Sequence, residues 1–210
     1  MKTWSAFYPL VLPEVQGAPL PLVDSAIRQT TIDIMGSSMM YQASLPDITI
    51  VADTATYTPV PPAGYEIALM LEAWIEDRQL LQTAATDLAT GYKNWRTETG
   101  TVEAYLSETP DTITLYRIPD STTAGQLLKL RAALIPTQTS TGVEDWIFSG
   151  YAQQIADGTK AYLMRMPGAW GNPSMAQFYA AAYATHKNSA RTDGKRNFGR
   201  ASQTVRLQRF

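Results

Sequence analysis

The chain has 210 residues, 45% hydrophobic and 17% charged, enough length for a substantial core and fewer charges than the roughly 25% of an ordinary soluble domain. It has no cysteine, which excludes a disulfide framework and any thiolate metal site. Its net charge of −2 conceals an asymmetry: residues 187–210 carry seven Lys/Arg against Asp193 alone, a net of +6 that leaves −8 for the rest. A basic end on an acidic body suits nucleic acid, an acidic protein surface or a neighbouring copy.

Residues 1–18 mix Pro9, Pro13 and Gly17 with large apolar side chains, a composition that predicts a packed, extended arm and no long helix. Met1-Lys2 ahead of the apolar Trp4–Leu12 has the outline of a short signal peptide, but Pro9, the aromatic residues and the lack of a cleavage site argue against one. No stretch approaches the roughly 20 apolar residues that span a bilayer. The first helix is predicted over Pro19–Tyr41, with Val23, Ile27, Thr30, Ile34 and Ser38 on one face and Asp24, Arg28 and Asp33 toward water.

From 46 to 137 the period changes to two. Ile48–Ala52, Tyr65–Ile75, Val102–Ser107, Thr112–Ile118 and Leu127–Ile135 alternate as strands do, separated by Pro, Gly and Asp turns. These predict a small antiparallel β-sandwich or barrel inserted between helices. Gln79–Asn94 fits a loop or a short helix equally well.

Two long elements follow. From Asp145, Phe148, Tyr151, Ala152, Ile155, Tyr162, Leu163 and Met166 recur at helical spacing until Pro167-Gly168 stops them. Asn172-Pro173 restarts a helix, since Asn caps well and Pro fits the first position. Ala176, Tyr179, Ala182, Tyr183, His186 and Ala190 form its stripe, with Gln177, Lys187 and Arg191 elsewhere on the surface. The pair predicts a helical hairpin with Trp170 at its tip, either exposed for a neighbouring subunit or folded back over the turn. The expected organisation is therefore α+β: a discontinuous helical bundle made of 1–45 and 138–196, an inserted β domain over 46–137, and an extended basic tail over 197–210.

Catalytic patterns are sparse. The single His186 lies on the helical stripe, where an ordinary helix residue is expected rather than a base or ligand. Glu72, Glu76 and Asp77 are close enough in sequence for a general acid/base pair, but a solvated strand end is the expected reading. No phosphate loop, nucleophile elbow or zinc-binding helix occurs. No enzyme, cofactor or metal is expected. The tail ends in alternating Val205 and Leu207 with Phe210, which suits docking onto a partner, while Lys195, Arg196 and Arg200 suit phosphate or an acidic surface.

Three stretches carry a resemblance. Gly17-Ala-Pro-Leu-Pro-Leu-Val-Asp-Ser-Ala-Ile-Arg-Gln-Thr-Thr-Ile-Asp-Ile-Met35, Tyr57-Thr-Pro-Val-Pro-Pro-Ala-Gly-Tyr-Glu-Ile67, and Ile155-Ala-Asp-Gly-Thr-Lys-Ala-Tyr-Leu-Met-Arg-Met-Pro-Gly-Ala-Trp-Gly-Asn-Pro-Ser-Met-Ala176 resemble the opening helix, the strand-turn-strand and the hairpin of head-to-tail adaptor, or head-completion, proteins of tailed bacteriophages. The resemblance implies a dodecameric ring beneath the capsid portal, assembled in the host cytoplasm and resident in the virion, through whose channel DNA passes with only transient contact. It implies docking to the portal through Arg200, Val205, Arg206, Leu207, Arg209 and Phe210, contact of Lys195 and Arg196 with DNA or an acidic surface, and an intersubunit role for Trp170. A tail, nozzle or terminator protein is the expected partner below, and no membrane is involved. The alternatives are a DNA-binding accessory module acting through the basic tail, a tail terminator or tube subunit, and a hydrolase using Glu72 and Asp77.

Overall fold

A computed structural model describes residues 1–92 and 94–195. In chain order the first elements are β1 (Lys2–Thr3), a 3-10 turn (Trp4–Phe7), α1 (Tyr8–Val11) and α2 (Leu20–Ser38). Next come β2 (Gln42–Ser44), β3 (Ile48–Thr49), β4 (Thr56–Tyr57), β5 (Tyr65–Ile75), β6 (Arg78–Gln79) and β7 (Leu81–Gln82). After α3 (Ala85–Gly91) follow β8 (Thr99–Gly100), β9 (Ala104–Leu106), β10 (Ile113–Tyr116), β11 (Ile118–Pro119), β12 (Leu127–Pro136) and β13 (Gly142–Val143). The last two are α4 (Asp145–Met164) and α5 (Pro173–Lys195). The class is mixed α+β. The chain divides into two compact units, Met1–Tyr41 with the chain from Pro136 onward, and Gln42–Ile135.

In the helical unit α2, α4 and α5 pack on one another. The apolar face of α2 is the one its spacing predicts: Val23, Ile27, Thr30, Ile34 and Ser38 are all buried. Its end is set by Met39, whose left-handed φ of 52° carries its N–H back to the Met35 carbonyl. α4 begins after Glu144, and α5 begins where Asn172 Oδ1 accepts from the Met175 N–H at 3.2 Å. Close approach is bought by glycine. A Cβ on Gly158 would lie 2.5 Å from Thr30 Cγ2 and 2.7 Å from the Tyr183 ring, so α2, α4 and α5 meet at a point with no room for a side chain.

The N-terminal segment departs from the extended arm expected of it. It is wound into the 3-10 turn and α1, because Pro9 falls in a first helical turn, where its missing N–H costs nothing. Trp4, Phe7 and Val11 are buried; Trp4 Nε1 donates to the Ser140 carbonyl at 2.8 Å, and the Phe7 ring meets Phe148 edge-on at 5.0 Å.

The β unit holds a five-stranded sheet in the order β2-β12-β5-β6, with β3 also paired to β12, and a four-stranded sheet in the order β4-β10-β9-β7. The antiparallel expectation fails at two places: β7 runs parallel to β9, and β8 parallel to β11. The strand expected over Ile48–Ala52 stops at Thr49. Beyond it Ile50 exchanges backbone bonds with Gln126 and Gly125, and the chain turns through Asp53 at φ 59°. Gln79–Asn94, undecided from sequence, contains the β6 end, β7 and α3, whose Leu88 closes a small core with Ala104, Leu106 and Tyr116. The main core is apolar: Met70, Tyr105, Ile113, Leu128 and Leu130 are among its fully buried side chains.

Candidate functional site

The helical unit encloses a cluster of charged groups on the inner face of α4. Lys160 sits on the inner face of α4 with its side chain only 4% exposed. Its ammonium is 2.6 Å from Glu14 Oε1, 3.8 Å from Asp157 Oδ1, and 4.8 Å from the centre of the Tyr179 ring. Tyr179 donates its hydroxyl to the other Glu14 oxygen. Asp157 is buried as well; it accepts from Gln153 at 2.9 Å and lies 3.4 Å from His186 Nε2.

Burial works to raise the Glu14 carboxyl, but the bonds from Lys160 and Tyr179 outweigh it and hold Glu14 below the ordinary carboxylate value. Tyr179 is pushed up to about 12, first by desolvation and then by Glu14. Its phenol therefore stays protonated and donating. Donors and acceptors here satisfy one another, and the chemistry they perform is to tie the segment after α1 to α4 and α5. The sequence signal was present: Asp157 and Lys160, three apart, fall within a run of α4 that is otherwise apolar or small.

On another side of the unit, α2, α4 and α5 border an open groove of about 420 Å³. Ala161, Ala180 and Ala184 line it, Tyr162 flanks it, and Lys187 and Arg165 bring positive charge. Lys187 is not the free surface cation that the helical wheel placed there; it donates to both Asp33 oxygens at 2.9 and 2.8 Å. Tyr183 also donates to Asp33, at 2.9 Å, and desolvation with that neighbouring charge drives its phenol far above the ordinary value. Arg165 is exposed, and its guanidinium has no ion-pair or hydrogen-bond partner among the described residues. Arg191 is likewise exposed, one turn beyond Lys187 on the same side of α5, and does not line the groove.

The sequence-predicted residues fall as follows. Trp170 is half-buried and folded back over the hairpin turn, its ring against the backbone of Gly168, where a Cβ would come within 2.8 Å of the ring. Its Nε1 has no acceptor among the described residues. Lys195 is the exposed last residue of α5. Arg196, Arg200, Val205, Arg206, Leu207, Arg209 and Phe210 lie outside the described residues.

In the β unit, Glu72 faces Arg131 at 3.5 Å, Glu76 accepts the Leu127 N–H at 2.9 Å, and the exposed Asp77 is 3.6 Å from Lys129. Each of the three carboxylates considered as an acid/base set is thus engaged by a different partner. Among the described residues no group of three or more His, Cys, Asp or Glu is arranged to hold a metal, and no helix is long and apolar enough to cross a membrane.

The remaining feature is a charge-free run in each helix of the hairpin. From Trp146 to Ala156 in α4, and from Pro173 to His186 in α5, there is no Asp, Glu, Lys or Arg. At 17% charged, about four would be expected in these 25 residues. Phe178 is nevertheless 63% exposed, with Met175 exposed one turn before it in α5, while Trp146 is exposed at the other end of the hairpin, near His186 and Ser189. Compared with known proteins, the chain matches no family model and no curated sequence.

Proposed function

We propose that this protein is a structural subunit of a tailed-phage virion, a head-to-tail adaptor that assembles as a ring, twelve copies around, between the capsid portal and the tail. In this reading the helical segments form one discontinuous bundle, the β unit is its insertion, and the chain beyond α5 docks on the portal. The observation that carries it is the stretch Pro173–His186 of α5, which holds no Asp, Glu, Lys or Arg yet exposes Met175 and Phe178. Charge depletion with aromatic and Met side chains is the composition of an interface core, and costly to leave in water. The three stretches that resemble adaptor proteins supply the partner class.

The reading is tested by native mass spectrometry of the full chain and of a version ending at Arg196, each alone and mixed with cognate portal. The full chain is expected to join the portal in twelve copies and the truncated chain to fail. If both ignore the portal while the full chain holds duplex DNA at physiological salt, the protein is instead a nucleic-acid-binding module acting through its basic end.

A further inference from the structure

At the end of the hairpin away from its turn, α4 and α5 border another pocket, of about 330 Å³. Its walls are Trp146, Tyr151 and Gln154 from α4 and His186, Ser189 and Asp193 from α5, and no lysine or arginine is among them. The Trp146 indole is 39% exposed and stands edge-on to Tyr151 at 6.5 Å and 82°, and to Tyr41 at 5.9 Å and 69°. Asp193 is half-buried and accepts from the Tyr151 hydroxyl at 3.1 Å through Oδ2; its carboxylate has no ion-pair partner among the described residues. Burial, and then Asp193, raises the Tyr151 phenol above its ordinary value, so it stays a donor. The cations of α5 do not supply the missing charge. Arg191 and Lys195 are two positions away on either side, a spacing that does not bring side chains together on a helix, and Lys187 is held by Asp33. His186 has Nε2 at 3.4 Å from Asp157. An aromatic wall beside a carboxylate that lacks a cation suits a guanidinium, whose plane stacks on a ring while its N–H fork meets the oxygens.

We propose that this pocket binds an arginine guanidinium and that its occupant is Arg200 of the same chain, stacked on Trp146 and paired with Asp193. Two observations select the occupant. The pocket lies where the described chain ends: Asp193 is one of its walls and Lys195 is the last residue of α5. The chain beyond, residues 196–210, holds four arginines and no Asp or Glu, so it brings the charge that the pocket lacks. Arg200 is five positions past Lys195, a reach of at most roughly 17 Å. Gly199 directly before it accepts the left-handed backbone with which a chain leaving α5 reverses toward α4, whereas Arg196 precedes that glycine. Because pocket and occupant share one chain, the effective concentration is on the order of millimolar, and a modest contact suffices to fill the site. The inference goes beyond the adaptor reading, since it concerns the isolated chain and needs no portal.

The chain has no cysteine, so an introduced pair reports only its own approach. The full chain carrying S189C/A201C is compared with Q177C/A201C, whose first thiol lies about 18 Å back along α5 on an exposed position. Disulfide formation under mild oxidation is followed by mass spectrometry, after circular dichroism has shown that each variant folds. S189C/A201C is expected to bridge within one chain roughly tenfold faster than the reference pair. Asp193→Asn keeps an acceptor for Tyr151 but loses the charge; it and Arg200→Gln are each expected to bring the rate down near that of the reference pair. Arg200→Lys is expected to fall between, because an ammonium keeps the charge and loses the fork. Arg196→Gln is expected to change little. Equal rates for the two pairs, or a rate unchanged by Asp193→Asn, overturn the pocket assignment. Slowing by Arg196→Gln and not by Arg200→Gln overturns the choice of occupant, and bridges that join two copies overturn its placement in the same chain. None of these outcomes bears on the adaptor reading, which the portal experiment decides.

Discussion

The helical unit hides polar groups that the β unit keeps at its rim. Among the described residues, seven of the eight buried polar side chains, including Asp157 and Lys160, belong to the helical unit, and Thr123 alone to the β unit. Thr31, Ser38 and Thr159 return their hydroxyls to carbonyls one turn back, at 2.8, 2.6 and 2.8 Å, so they are satisfied within their helices. In the β unit Lys129 and Asp77 lie in water, while Arg117 with Glu98 and Arg131 with Glu72 keep about a third of each side chain exposed, against 4% for Lys160. The lesson concerns how each unit obtains a unique packing. Apolar strands are held in register by their ladders, whereas helices slide and rotate unless specific contacts oppose it, and a buried ion with fixed partners does so.

That contrast predicts unequal costs. Lys160→Met leaves Asp157 buried without its cation and is expected to destabilise the helical unit by about 4 kcal/mol, measured by chemical denaturation. A loss below about 1 kcal/mol would place the cluster among solvated pairs and dissolve the contrast. Ile113→Ala, a fully buried truncation in β10, is expected to cost about 3 kcal/mol. Gly158→Ala forces a methyl against Thr30 and Tyr183 and is expected to cost about 2 kcal/mol.

The effect of pH is smaller, and its sign follows from the lowered Glu14 carboxyl. A carboxylate whose value is depressed on folding contributes stability that is complete above its ordinary 4.5 and is lost as pH falls through the lowered value. Glu14→Gln is therefore expected to flatten the acid side of the melting-temperature profile below about pH 4.5. At the alkaline side Tyr179 acts oppositely: its contribution is complete below 10.0 and lost as pH rises toward about 12, so Tyr179→Phe removes that decline. The smallest change is Lys129→Met, within about 0.5 kcal/mol of wild type.

Legibility followed the same division. The α2 face, the stop at Pro167-Gly168 and the Asn172 restart were readable because each is local: a spacing, a missing donor, a cap. The long strands β5 and β12 were readable from alternation. The parallel pairings β7/β9 and β8/β11 were not, because register between distant two-residue strands leaves no periodic trace. Asp24, Arg28 and Asp33 do lie on the side of α2 open to water, Asp33 exposed and the others partly so, but their partners were not readable: Asp24 accepts from Tyr8 at 2.7 Å, Arg28 donates to the Gln138 carbonyl at 2.7 Å, and Asp33 takes Lys187. A helical wheel reports which side a residue faces and is silent on what the chain later places there.

Helix and strand identity, the caps and the charge-free stretches of α4 and α5 were set by residues within a few positions of each other, through backbone sterics and side-chain spacing. The Glu14–Lys160–Tyr179 cluster, the fit of three helices at Gly158 and the alanine-floored groove needed the folded chain. They join residues up to 165 positions apart, and such contacts exist only once packing has excluded the alternatives.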